Sequence, residues 1–580
     1  MEIVVINLMR LGDLVQTSAV LRGLKARFPD ARLTLLVMDV FQEPATLLAG
    51  VDRLLTFPSV DLARLLNEAE DWPRAYQMVD AWLADHLRPA PDLVINLTPT
   101  LVGALLASAI QAPQVRGLAV DQRRQFYTYP SWTSYFLIVS QARRANPFNL
   151  VDLFLLGADL PPDGLGLHLE IPPEAQAQAD AALAALNLPA GTARVGLLPG
   201  ASDPRRCWPP ENFAQTARQL LAARPCHFFV FGSTAEAHLG ERLKELLPPE
   251  SVTLFLGRTS LPLLTAYLNR LDLLICNDTG PMHLAAAVNT PVLALFLASA
   301  RVQDTGPVGR GHLALGPRLD CYPCAHFCSY PKCYQAIPPQ AVSAWALHLL
   351  EKKPLTPIAD APLWRDHQVY LSTFDPLGYH AHLPLVRRPL EAWPFWTWVH
   401  RAAWPAWLGG HASSPKTLHQ WLAQVLTTHY LPPEDDLGLA AGQQALGELL
   451  RLTAQGKRLA RQISRLAPAA TPSPARLWQK TEAIMEIDPQ LRRLAVGFPE
   501  IAAFIEFFFQ EQRINKETEL LGLAKDLGRA YGQLHQAGEI CLEAVRTLIS
   551  FLPGVARISP PLPGLAQGMQ EINWKEINIQ

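Results

Sequence analysis

The chain begins with a run of β-formers, Ile3 to Leu8, in "EIVVINL". A helical pattern, "TSAVLRGLKARF", follows it, and then a second apolar run, "ARLTLLVM". Further on, "PDLVINLTP" leads into the small-residue helix "LVGALLASAI". Short apolar runs alternating with helical patterns predict parallel βαβ units and a doubly wound sheet. "NLVDLFLLGADL" closes this region, and "PPDGLGLHLEIPPE" reads as a linker. The alternation restarts at Arg194 with strands "RVGLLPG", "HFFVFG", "TLFLG", "DLLICN" and "PVLALF", separated by helical segments. The prediction is two Rossmann-like α/β domains, residues 1–165 and 166–352.

The pattern changes near Pro354. The segment "EKKPLTPIADAP" reads as a linker, and residues 353–435 as a Pro/Trp-rich linker or subdomain. Residues 436–580 carry long Leu/Ala-rich segments and predict an all-α bundle of roughly four helices. In the last long segment Leu520, Leu523, Leu527, Tyr531, Leu534, Cys541, Val545 and Leu548 recur at threes, fours and sevens, the spacing of one apolar stripe. The tryptophans from Trp393 to Trp407 read as core of this region or as an exposed anchor, with core favoured because large aromatics dominate burial.

Composition changes this picture little. The 580 residues are 49% hydrophobic and 18% charged, which excludes a disordered chain, and the net charge of −2 provides no global field for nucleic acid. Glu2, Arg10 and Asp13 stand where a signal peptide would need a cationic head and an unbroken apolar run. The most apolar stretch, from Leu284, is broken by Asn289-Thr290-Pro291. These features predict a cytoplasmic protein.

Candidate chemistry gathers at strand ends, where parallel sheets bind ligands. After the first strand comes Arg10-Leu11-Gly12-Asp13. Asp13 reads as a helix cap or as a general base facing an acceptor hydroxyl, and the spacing does not choose between them. No G-x-G-x-x-G follows the strand, which argues against a dinucleotide. The loop "LLPGASDPRRCWPPENF" offers small residues and the pair Arg205-Arg206 to a phosphate. In "CNDTGPMHLAAA", Asp278-Thr279-Gly280 meets a helix start, an anion site, with His283 one turn on. Cys321, Cys324, Cys328 and Cys333 are separated by two, three and four residues. That clustering suggests a structural zinc or iron–sulfur site, and a reduced loop is the alternative. The stretch from Gln122 to Arg144 mixes arginines with aromatics and reads as an acceptor face, a membrane-surface contact or ordinary packing.

Together "VINLMRLGDLVQTSAVLRGLKARFPDARLTLLV", "LLPGASDPRRCWPPENFAQ", "VFGSTAE", "DLLICNDTGPMHLAAAVNTPVLALF" and "TGPVGRGH" resemble glycosyltransferase family 9, the heptosyltransferases, in order to about residue 345. The resemblance implies the GT-B fold and inverting sugar transfer from a nucleotide-sugar, with no cofactor required for catalysis. It implies that Asp13 is the general base, that Ser202 touches phosphate and that Glu236 holds the nucleoside. Asp278 would meet the donor sugar, with Thr279, Gly280 and His283 at the diphosphate. Arg206 stands where the family often has a phosphate-binding lysine; it keeps the charge but adds a fork. ADP-heptose is the implied donor, and a lipid-linked lipopolysaccharide-core glycan the implied acceptor at the inner face of the membrane. The helical appendage motivates two alternatives, a surface-protein acceptor such as flagellin or pilin, and a degenerate nucleotide-sugar-binding scaffold.

Overall fold

The computed structural model describes residues 1–67, 71–139, 143–324, 328, 332–409, 415–466, 474–514 and 519–552. Two sheets and a helical region organise them. The first sheet contains β1 (Glu2–Ile6), β2 (Arg32–Met38), β3 (Arg53–Phe57), β4 (Leu93–Asn96), β5 (Gln114–Val120) and β6 (Phe126–Tyr129), in the order β3-β2-β1-β4-β5-β6. All neighbours are parallel except β5 and β6. Central β1 is apolar and buried on both faces, as a strand covered by helices on each side must be.

The second sheet is built on β7 (Ala193–Leu198), β8 (Cys226–Val230), β9 (Val252–Leu254), β10 (Leu273–Asn277), β11 (Val292–Leu295) and β12 (Leu313–Pro317). A two-residue pairing joins β13 (Ile358–Ala359) to β16 (Val386–Arg387). Between them, β14 (His367–Phe374) pairs antiparallel with β12, and β15 (His380–Pro384) with β14. Residues 353–435 are therefore more than a linker: their first part completes the eight-stranded sheet β15-β14-β12-β11-β10-β7-β8-β9.

Five helices follow residue 436 among the described residues, where roughly four were expected: Leu439–Leu466, Pro474–Met485, Ile487–Gly497, Pro499–Ile514 and Leu520–Ile549. The helices Ala392–Leu408 and Pro415–His429 precede them. The stripe of the last helix is buried from Tyr531 to Leu548, but Leu523 is exposed. The segment from residue 553 onward lies outside the described residues.

The tryptophan run is core. Trp396 and Trp404 have no exposed surface. Trp404 stacks on Phe504 at 4.6 Å, and Tyr135 of the first lobe packs against it at 4.5 Å. Trp132 and Tyr135 also meet Phe148 edge-on, so the second half of the Gln122–Arg144 stretch is packing, with Ser140 to Ala142 outside the described residues. Its hairpin tip, Tyr129, Ser131 and Arg144 face solvent.

Arg401 joins the helical region to both lobes. Its guanidinium pairs with Asp375, at the β14–β15 turn, at 3.0 Å, and both side chains are 1% exposed. It also donates to the Pro147 carbonyl at 2.7 Å and lies over the Phe148 and Tyr379 rings. Asp375 accepts from the Leu377 and Tyr379 N–H groups, which satisfies its other oxygen.

Candidate functional site

Three asparagines fasten the loops at the strand ends. Asn7, after β1, donates to the Asp13 carbonyl at 3.2 Å and to Thr17 at 2.7 Å, and accepts from the Met9 N–H. Asn96 bridges Leu118 and Thr98 in the same way. Asn277, at the end of β10, accepts from the Trp208 N–H at 3.0 Å and donates to the Pro199 carbonyl at 2.7 Å. All three are buried. Each replaces water for backbone groups that a turn leaves open.

The helix Leu11–Arg27 starts in the loop that Asn7 holds. Arg10 is its N-cap and Asp13 the third residue of its first turn. The Asp13 carboxylate reaches back to the Arg10 N–H at 3.3 Å. Asp13 is therefore not the N-cap itself; its carboxylate satisfies the N–H of the N-cap, the one half of a capping box that an arginine N-cap allows. One oxygen suffices for that role. Burial pushes its pKa up to about 6, against the pull of the Arg10 N–H and charge and with a further push from Asp278.

That influence of Asp278 shows how the chain closes. The two half-sites belong to different sheets, and their helix N-termini meet. A Cβ on Gly12 would lie 2.9 Å from Cδ2 of His283, and one on Gly280 would lie 2.9 Å from Cδ2 of Leu11. Both glycines are needed for this approach. His283 is buried, its Nδ1 has no partner among the described residues, and burial lowers its pKa to about 4, so at neutral pH it offers an N–H rather than a charge. Thr279 is the N-cap of the helix Gly280–Ala287, yet its hydroxyl makes no bond back to that helix.

Arg206 lies beside this helix start. It pairs with Asp278 at 3.1 Å and donates to the Ser299 hydroxyl at 3.2 Å. Burial raises the Asp278 pKa, partly offset by Arg206 and by the Thr305 hydroxyl, which donates to it at 3.4 Å. A residue that sequence reading did not single out, Arg143 of the first lobe, donates to the Ser299 carbonyl at 2.9 Å and pairs with Asp304 at 2.8 Å. Asp13, Arg206, Asp278, Thr279, Gly280 and His283 thus gather at one cleft. Glu236 lies on its second-lobe side: it accepts from the Ser233 N–H and hydroxyl, and its carboxylate fills the space a side chain on Gly200 would take. Ser202 is exposed on the loop ahead of Arg206.

The four clustered cysteines line one pocket with Arg205 and Ala298. Through the Cys324 N–H, which donates to the Ala298 carbonyl, they support the backbone next to Ser299. Among the described residues, no group of three or more His, Cys, Asp or Glu side chains has an arrangement that could hold a metal ion. The expected structural zinc or iron–sulfur site gains no support. Among the described residues, no helix is long and apolar enough to cross a membrane.

Residues 83–334 match the family model for glycosyltransferase family 9 (heptosyltransferase). Lipooligosaccharide heptosyltransferase 2 of Haemophilus influenzae is 34% identical over 107 residues, 18% of this chain and 30% of the relative. Lipopolysaccharide heptosyltransferase 1 of Pseudomonas aeruginosa is 26% identical over 373 residues, covering 59% of this chain and 96% of the relative. Among solved structures, ADP-heptose lps heptosyltransferase II of E. coli is 19% identical with a TM-score of 0.46, covering 61% of this chain and 99% of that one.

Proposed function

The chain belongs to glycosyltransferase family 9 through the domain at residues 83–334, and from that premise we propose that it moves a sugar from a nucleotide-sugar onto a glycan acceptor across the cleft described above. The names of the relatives favour heptose as the sugar and a lipopolysaccharide as the acceptor; the reading takes ADP-heptose as the donor and places the reaction on the cytoplasmic side of the membrane. One observation carries the reading: Asp13 and the start of the helix Gly280–Ala287 come from different sheets and meet face to face.

In this reading the donor diphosphate sits at the Gly280–Ala287 helix start, where backbone N–H groups, the Thr279 hydroxyl and the neutral His283 ring donate to it. Arg206, aimed by Asp278 and Ser299, meets the charge that gathers as the anomeric carbon–oxygen bond breaks. Fixed donors take the place that a metal ion would otherwise fill, which makes the scheme metal-independent. Glu236 would orient the nucleoside and Ser202 a phosphate oxygen. Asp13 takes the proton of the acceptor hydroxyl as it attacks from the opposite face, so the anomeric configuration inverts. The raised pKa makes Asp13 a stronger base than an ordinary aspartate while leaving it ionised at neutral pH.

A pH profile tests this assignment. Asp13 is active as the carboxylate, so activity is present above its pKa and is lost as pH falls through it. With saturating donor, kcat/KM for the acceptor is expected to fall on an acidic limb centred near pH 6. A limb near 4 would mean that Asp13 is solvated in the working enzyme or is not the titrating group.

A further inference from the structure

The segment after β11 touches the second-lobe side of the cleft at two places. The Ser299 hydroxyl accepts from Arg206 at 3.2 Å, and the Thr305 hydroxyl donates to one oxygen of Asp278 at 3.4 Å. The other oxygen of Asp278 holds Arg206. The segment therefore aims that arginine twice, once directly and once through Asp278.

The first lobe grips the same segment beside both contacts. Arg143 donates from Nη1 to the Ser299 carbonyl at 2.9 Å and from Nε to the Asp304 carboxylate at 2.9 Å. One guanidinium fork thus fixes the residue that touches Arg206 and the residue before Thr305. The backbone there needs holding. Ala298 has a φ of +53°, in the left-handed region that alanine avoids. Such a conformation persists only where its surroundings determine it. Here the Cys324 N–H fixes the Ala298 carbonyl at 2.9 Å, and Arg143 fixes the next one.

Cohesion of the lobes does not depend on Arg143. Arg301 donates to the Asn146 carbonyl at 2.9 Å, Asn149 to the Gly306 carbonyl at 3.3 Å, and the His380 N–H to Asp152 at 3.0 Å, all buried. Without Arg143, Asp304 keeps Arg301 and Asn146 as donors. The Arg143 side chain is 37% exposed, so its ion pair contributes little to stability.

We propose that Arg143 is a positioning residue for the donor, reaching from the first lobe to fix the segment Ser299 to Thr305 and, through it, the direction of Arg206. The acceptor-side lobe then takes part in holding the donor. The inference rests on the reading of Arg206 as the cation that meets the diphosphate.

A thermodynamic cycle tests it, with ADP-heptose titrated calorimetrically into the full chain, Arg143→Gln, Arg206→Gln and the double variant. Arg143→Gln should weaken binding about fivefold, and less than Arg206→Gln does, because a residue that acts through another costs no more than the loss of that other. The double variant should bind like Arg206→Gln alone. Arg144→Gln removes a bond from the same first-lobe stretch to the Asp320 carbonyl of the second lobe, but its side chain makes no bond to Ser299 or Asp304 among the described residues. It should bind like the intact protein, and Arg143→Gln should keep the intact melting temperature. Normal binding by Arg143→Gln would overturn the proposal. So would losses that multiply in the double variant, since Arg143 would then act on the donor independently of Arg206. An equal loss in Arg144→Gln would overturn it too, by showing that any loosening between the lobes suffices. If Arg206→Gln binds like the intact protein, the reading of Arg206 fails and this inference with it. If Arg206→Gln weakens binding and Arg143→Gln does not, only this inference fails.

Discussion

Asp13→Asn is expected to lower kcat by about 10²- to 10⁴-fold, the usual contribution of a positioned general base. The substitution keeps the shape of the side chain, and its amide oxygen can still accept from the Arg10 N–H, so that hydrogen bond at the helix start survives. What it removes is the proton acceptor. If Asp13 serves only the helix start, the same variant should cost no more than a few tenths of a kcal/mol of stability and leave turnover intact. Rate and stability therefore move apart under one reading and stay together under the other. Asp13→Ala is less informative, because it removes both functions at once.

Arg401→Ala is expected to destabilise the protein by about 3–5 kcal/mol, the cost of stranding a buried charge. Asp375 would keep its two backbone N–H donors but lose its counter-ion, with both groups 1% exposed in the intact protein. Asp152, whose pKa burial raises to about 7, also depends on that guanidinium, which pulls its pKa the other way. The loss would reach beyond one pair, because Arg401 ties the helix Ala392–Leu408 to the Pro147 carbonyl of the first lobe and to the β14–β15 turn of the second. Urea denaturation reads it as a lower midpoint. Arg401→Met, which restores volume without charge, still leaves Asp375 unpaired and should recover only part of the loss. An unchanged midpoint in both variants would show that this pair does not hold the helical region in place.

The two assignments differ in how visible they were along the chain. Strands buried on both faces, such as β1, β7 and β10, are unbroken apolar runs and could be read directly. β3, β5 and β6 carry polar residues at alternate or edge positions, and β14 begins His367-Gln368 after a proline-rich stretch, so none had that signal. Their pairing comes from partners far away in sequence. The site shows the same division. Asp13 and the Asp278–His283 segment sit at strand–helix junctions, where residue type and position agree. Asn7 and Asn277 look like ordinary polar strand ends, and Asn277 acquires its role from Trp208 and Pro199, 69 and 78 residues away. Arg143 reaches Ser299 across 156 residues, and nothing local in the sequence distinguishes it from Arg144.

The central claim is that one side of the cleft holds the donor and the other supplies the base. Calorimetric titration of ADP-heptose into the full chain, into Asp13→Asn and into Arg206→Gln tests it most directly. The intact protein and Asp13→Asn are predicted to bind alike, while Arg206→Gln binds about tenfold or more weakly, one charge-assisted contact to phosphate having been lost. Equal weakening in Asp13→Asn and Arg206→Gln, or no binding by the intact protein, would contradict it.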